Sequence, residues 1–133
     1  MNNQSCIPIK KEWDIVGARQ YGRDIAKNLG FGSVDQARIA TAISELARNI
    51  YLYAQKGKIC FDIVEGVNKK GIKIVAIDEG PGIEEISKVM EDGYTTSGGL
   101  GAGLPGIKRL MDDFDIISEV GKGTEITVVK WLR

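Results

Sequence analysis

A carboxylate and a carboxamide, Glu45 and Asn49, stand four residues apart in a helical stretch and so share one stripe of it. A carboxylate can take a proton from a hydroxyl, and an amide carbonyl oxygen is the hard donor that Mg²⁺ prefers. Further along, Asp78-x-Gly80-x-Gly82 puts an acceptor-only side chain where a β-branched run stops. Of the 17 glycines, eight fall between Gly80 and Gly106, and the densest run is Gly98-Gly99-Leu100-Gly101-Ala102-Gly103-Leu104. Such a run loses much entropy on folding, and is tolerable where backbone bends sharply or lies against a ligand. Phosphate is the ligand that most rewards exposed N–H groups. Each feature has a plainer reading. Asp before Gly-Pro-Gly forms turns, a glycine run can be a surface loop, and Glu45 with Asn49 can be a solvated flank.

The elements that must position these residues follow from periodicity. Cys6 to Ile9 reads as a short strand that Pro8 confines to an edge. Glu12 to Leu29 reads as a helix, with Ile15, Ala18, Ile25 and Leu29 apolar and Gly30 as C-cap. Ser33 to Gln36 has capping-box spacing for a second helix, with Ser33 as N-cap, running to about Ala54. Ile39, Ile43, Leu46 and Ile50 form its core stripe, and Glu45 and Asn49 lie on the boundary beside it. Lys58 to Glu65 and Ile72 to Asp78 read as a hairpin whose connection, Gly66 to Gly71, is longer than the tightest turns. The second of these strands is apolar enough to be central. Ile83 to Asp92 reads as a short helix, and Leu104 to Asp113 as another with Pro105 in its first turn. Phe114 to Val120 and Thr124 to Leu132 close the chain as a strand pair around Gly121-Lys122-Gly123. This order predicts a single α/β two-layer sandwich over residues 1–133, helices on one face of a mainly antiparallel sheet.

Composition narrows the functions. With 18 basic and 18 acidic residues the chain has zero formal charge, which argues against sequence-independent nucleic-acid binding. No apolar run is long enough to span a membrane and no signal-peptide pattern is present. The two cysteines, Cys6 and Cys60, lack metal-ligand spacing and are expected to be reduced thiols in a cytoplasmic protein. Histidine is absent, so no histidine base, zinc ligand or phosphoacceptor is available. Gly101-Ala102-Gly103-Leu104-Pro105-Gly106 matches a dinucleotide fingerprint by letter. That fingerprint must follow a strand directly, and here the upstream strand ends at Asp78.

Glu45-x-x-x-Asn49, Asp78-x-Gly80-x-Gly82, Gly101-x-Gly103 and Gly121-x-Gly123-Thr124, in that order, resemble the N box and glycine boxes of one ATP-binding fold. It is the Bergerat (GHKL) fold shared by gyrase, the ninety-kilodalton heat-shock chaperone, histidine kinases and MutL. The resemblance implies that Asp78 accepts a hydrogen bond from the adenine amino group, with Gly80 and Gly82 letting backbone approach base and sugar. It implies that Asn49 holds Mg²⁺, that Glu45 is the general base, and that Thr124 places a hydroxyl near the base. Gly98, Gly99, Gly101, Gly103 and Leu104 would form the lid and helix start over the ATP phosphates.

Gyrase-like, chaperone-like and MutL-like proteins need a transducer domain, and histidine kinases need a histidine. The remaining branch is the small serine/threonine kinases of bacterial partner switching, and the chain resembles the stressosome switch kinases over its full length. This implies ATP-dependent phosphorylation of STAS-domain stressosome proteins, then binding and activation of a PP2C-type phosphatase, with no nucleic-acid or membrane partner. An anti-sigma factor of the same fold and a non-catalytic nucleotide-binding adaptor are the alternatives. Arg19 and Arg23, at i and i+4 on the first helix, are the candidate docking face, against the plainer reading of a solvated one. Anti-sigma relatives can carry an arginine before the second glycine motif, where this chain has Gly98-Gly99; Lys108, Arg109 or Arg48 is the substitute at hand, the alternative being a γ-phosphate held mainly by backbone N–H groups.

Overall fold

The computed structural model describes residues 4–54, 56–83, 90 and 103–133. Strand β1 (Ser5–Ile9) is followed by helices α1 (Glu12–Leu29) and α2 (Ser33–Asn49), and α2 runs on into a π-helical turn, Ile50–Ala54. The hairpin β2 (Gly57–Gly66) and β3 (Lys69–Asp78) comes next, then α3 (Gly103–Leu110), β4 (Asp113–Glu119) and β5 (Gly123–Trp131). The sheet has five strands in the order β1-β2-β3-β5-β4, and all four pairings are antiparallel. The expected two-layer α/β sandwich is therefore what forms, with β3 central.

Alternation decides which sheet face is covered. Ile59 and Phe61 of β2, Ile72, Ile74 and Ala76 of β3, and Ile126 and Val128 of β5 lie in the core with the α2 stripe Ile39, Ile43, Leu46 and Ile50. Each fully buried large side chain among them contributes about 1.5–3 kcal/mol of transfer free energy. Ala18, Ala26 and Ala42 are buried in the same core, and Gly22 of α1 lies directly against Ile43 of α2, where an added Cβ would also meet Phe61 Cε2 at 2.9 Å.

Local chemistry sets the ends. Asp14 Oδ2 accepts the backbone N–H groups of Lys10 and Lys11, each at 2.9 Å, where α1 begins. Those two donors, Lys11 first, hold the Asp14 carboxyl below its ordinary value. Gly30 ends α1 in the left-handed region at φ 106°, as expected.

Four expectations are corrected. Ser33 is the first residue of α2 rather than its cap; Gly32 is the N-cap, and Gln36 Nε2 donates instead to the Phe31 carbonyl at 2.8 Å. The β2–β3 connection is a tight turn at Val67–Asn68, because pairing continues to Gly66 and Lys69 and Asn68 adopts φ 55°. The last turn of the second helix is π-helical rather than α-helical. Cys6 and Cys60 are not separate thiols: they stand opposite each other in the β1–β2 register and are joined by a disulfide. Spacing along the chain concealed that pairing, because it arises only once β1 crosses back to β2. Of the expected helix at Ile83 to Asp92 only Ile83 and Met90 are among the described residues, and the rest of it and most of the glycine run lie outside them.

Candidate functional site

One rung of the sheet carries the site. Ile9, Gly57, Asp78, Thr124 and Ser118 are successive register partners across all five strands. At its centre Asp78 Oδ1 accepts two backbone hydrogen bonds, from Gly80 at 2.9 Å and Thr124 at 3.2 Å. Those bonds fix the plane of the half-buried carboxylate. Oδ2 accepts no hydrogen bond among the described residues and is the remaining acceptor of the carboxylate there.

The backbone after Asp78 is clamped from two sides. Gly80 lies against the π-helical turn, where a Cβ would sit 2.7 Å from Ala54 Cβ. Gly82 has φ 79° and faces the Glu119 carbonyl, so a side chain there is both strained and obstructed. Gly121 donates to the Pro81 carbonyl at 2.9 Å. Ser118 is the fastener that the sequence did not reveal. Its Oγ accepts from the Ile83 N–H at 2.7 Å, donates to the Gly123 carbonyl at 3.1 Å and contacts Thr124 Oγ1 at 2.8 Å. A serine alternating within a strand carries no signal of such a role until register places it beside Thr124. Thr124 is buried, and its hydroxyl is engaged with Ser118.

Glu45 and Asn49 are both half-buried on α2, and neither makes a side-chain hydrogen bond or ion pair among the described residues. The helix that carries them continues through Ile50–Ala54 onto Gly80, so their element is packed end-on against the Asp78 segment. A carboxylate and an amide with unused donors and acceptors suit a proton acceptor and an oxygen ligand. No group of three acidic, Cys or His side chains that could hold a metal by itself occurs among the described residues. The Asn49 carboxamide oxygen is a hard donor of the kind that Mg²⁺ takes beside phosphate oxygens.

Of the lid residues, Gly98, Gly99 and Gly101 lie outside the described residues. Gly103 begins α3 at φ 66°, and Leu104 is buried in the core, where it anchors that helix. Lys108 is exposed on α3, and Arg48 is half-buried with no partner among the described residues. Arg19 and Arg23 both line a groove of about 350 Å³ between α1 and α2, with Gln20, Thr41 and Ser44. Ser44 Oγ is buried there without a hydrogen-bond partner among the described residues.

Residues 34–133 match the family described as histidine kinase-, DNA gyrase B- and HSP90-like ATPases. The chain is 68% identical over all 133 residues, the full length of both, to the serine/threonine-protein kinase RsbT of Bacillus subtilis strain 168. It is 33% identical over 100 residues to an anti-sigma F factor of Thermoanaerobacter strain X514, covering 72% of this chain and 70% of that one. Among solved structures, the RsbU and RsbW domains of a Mycobacterium tuberculosis protein align over 95% of this chain and 32% of that one, with TM-score 0.65 and 17% identity. The mycobacterial sensor histidine kinase MprB aligns over 98% and 97%, with TM-score 0.57 and 14% identity, a likeness of fold. The open Asp78 acceptor, its glycine-bounded cradle and the family match converge: the chain belongs to the histidine kinase-, gyrase B- and HSP90-like ATPases.

Proposed function

We propose that this protein is a Mg²⁺- and ATP-dependent serine/threonine protein kinase of a partner-switching pathway. The observation that carries the reading is the Asp78 carboxylate, one oxygen held by Gly80 and Thr124 and the other open to an adenine amino group. In this reading Gly80 and Gly82 admit the base, and Asn49 helps hold Mg²⁺, which supplies charge neutralisation at the phosphates when bound. The segment of Gly98, Gly99, Gly101 and Gly103, ending at Leu104, covers those phosphates. The acceptor hydroxyl attacks the γ-phosphorus, ADP leaves, and Glu45 takes the hydroxyl proton. Full-length similarity to a serine/threonine-protein kinase supports this reading.

STAS-domain stressosome proteins are the proposed substrates, and a PP2C-type phosphatase the proposed partner after release. Arg19 and Arg23 on the α1–α2 groove are the proposed docking face. A cytoplasmic location is part of the same proposal.

The test is labelled ATP with Mg²⁺ and a candidate STAS-domain protein, followed by mapping of the modified residue. Label should appear on a serine or threonine. Glu45→Ala should retain ATP binding and slow transfer by about 10²–10⁴-fold, the range for a lost general base. ATP binding without transfer to any STAS protein would make the protein an adaptor. The similarity to anti-sigma F factors favours one second reading, direct sigma-factor binding. A pull-down that returns a sigma factor instead of STAS or phosphatase partners would establish it.

A further inference from the structure

The sheet face opposite the helices carries a feature that the proposed kinase chemistry does not use. Cys6 and Cys60 are joined across the β1–β2 register, Cα to Cα 4.0 Å, with 54 residues of separation along the chain. Their surroundings differ. Cys6 is exposed on an edge strand, whereas Cys60 is 1% exposed. A dithiol can therefore approach one sulfur and not the other.

We propose that Cys6–Cys60 is a reversible redox modification site that sets how firmly β1 is held to the rung bearing Asp78 and Thr124. β1 is only five residues long, and Pro8 gives it no N–H at that position. Its C-terminal end is anchored by Ile9, fully buried, and by the Lys10 and Lys11 N–H groups on Asp14. Toward its other end, the bridge is the covalent tie that reinforces the backbone ladder. Ile9 pairs with Gly57, Gly57 pairs with Asp78, and Glu79 N–H donates to the Lys56 carbonyl at 3.1 Å. The bridge sits three residues along β1 from that rung, about 10 Å at strand rise. Loosening β1 thus reaches the backbone that orients the Asp78 carboxylate.

The exchange balances with a dithiol as reductant. Its thiolate attacks Cys6 Sγ, the Sγ–Sγ bond breaks, and Cys60 leaves as a thiolate that takes a proton. The second thiol of the reductant then displaces Cys6 from the mixed disulfide. Two protein thiols and one oxidised dithiol result, two electrons having passed to the protein. An oxidised glutathione-type disulfide runs the sequence backwards. Bridges in a reducing compartment are characteristically of this transient kind.

The test uses the full chain, poised with oxidised glutathione or with dithiothreitol, and alkylated for thiol counting by mass. The oxidised form should show no free thiol and the reduced form two. Reduction should lower the melting temperature by on the order of 10 °C. It should also speed amide exchange at Ile7 and Ile9 and weaken ATP binding by roughly threefold, as a loosened adenine rung requires. Cys6→Ser, at an exposed position, should match the reduced wild type in either buffer. Failure to obtain the oxidised form, equal melting temperatures of the two forms, or a redox response surviving in Cys6→Ser would overturn the site. Equal ATP affinities of the two forms would overturn its link to the adenine rung. Absence of ATP binding in both forms would be a failure of the nucleotide reading; the thiol count and melting temperatures then decide the redox site alone.

Discussion

Asp78 illustrates how much a single side chain depends on what its neighbours take from it. A carboxylate offers about four acceptor sites, and two N–H groups occupy Oδ1 alone. Held this way the group needs no reorganisation to receive a donor at Oδ2. Asp78→Asn replaces a charged acceptor by a weaker one and can turn an NH₂ toward the adenine amino group. ATP affinity should fall by about tenfold or more, equivalent to 1.4 kcal/mol or above. Unchanged affinity in a calorimetric titration would remove Asp78 from the adenine site. Aspartate at this position is legible in the sequence because it ends an apolar strand before Gly-Pro-Gly. Which of its two oxygens is free is not, since that depends on Thr124, brought alongside only by the β3–β5 register.

Elements rather than residues hold the cradle open. The Glu79–Ile83 backbone is pressed between the π-helical turn and the β4–β5 turn, and Ser118 fastens it to β5 through three contacts. Ser118→Ala leaves the Ile83 N–H without its acceptor and the Thr124 hydroxyl without its partner. The expected cost is about 1–3 kcal/mol of stability, read from urea unfolding, with weaker ATP binding because Thr124 also supports Asp78. A Ser118→Ala protein of wild-type stability would show that solvent substitutes for the serine at no cost. The π-helical turn belongs to the same scale. Its residues were legible as helix, but the change of winding after Asn49 was not, because Ile50 and Ala54 are set by packing on the core and on Gly80.

At the scale of the whole molecule, a charge cluster ties α2, α3 and the C-terminal strand together. Lys130 is 7% exposed and donates to the Leu110 carbonyl at 2.9 Å, with Asp112 at 3.8 Å and Asp35 at 3.9 Å. Asp112 also accepts from the Trp131 N–H at 2.7 Å and pairs with Arg133 at 3.0 Å. Burial pushes the Asp112 carboxyl upward, but the Trp131 N–H, Lys130 and Arg133 together outweigh it and hold the group below its ordinary 3.8. A folded value below the unfolded one means that the unfolded chain binds the extra proton first as pH falls. The contribution is therefore complete above about pH 4 and is lost as pH drops through the lower folded value. Asp112→Asn should destabilise the protein at pH 7, and the gap from wild type should narrow below pH 4. Urea unfolding at both pH values measures this; a gap independent of pH would show that the carboxylate charge is not what stabilises. Among the described residues no helix is long and apolar enough to cross a membrane.

The sequence by itself determined the order and kind of the described elements, the π-helical turn apart, and supplied the residue types of the proposed nucleotide cradle. Periodicity of 3.6 or 2 separates helix from strand, and motif spacing survives without coordinates. Glu45, Asn49, Asp78, Gly80 and Gly82 could all be named this way. Tertiary structure alone decided what those residues meet: which Asp78 oxygen stays open, that Ser118 locks Thr124, and that Cys60 lies opposite Cys6. Two of these are contacts between strands far apart in the chain, and the Ser118–Thr124 contact is set by the β4–β5 pairing. Register sets such contacts, and a slip of one residue would send every side chain to the other face. Local pattern holds no record of that register until the sheet is assembled.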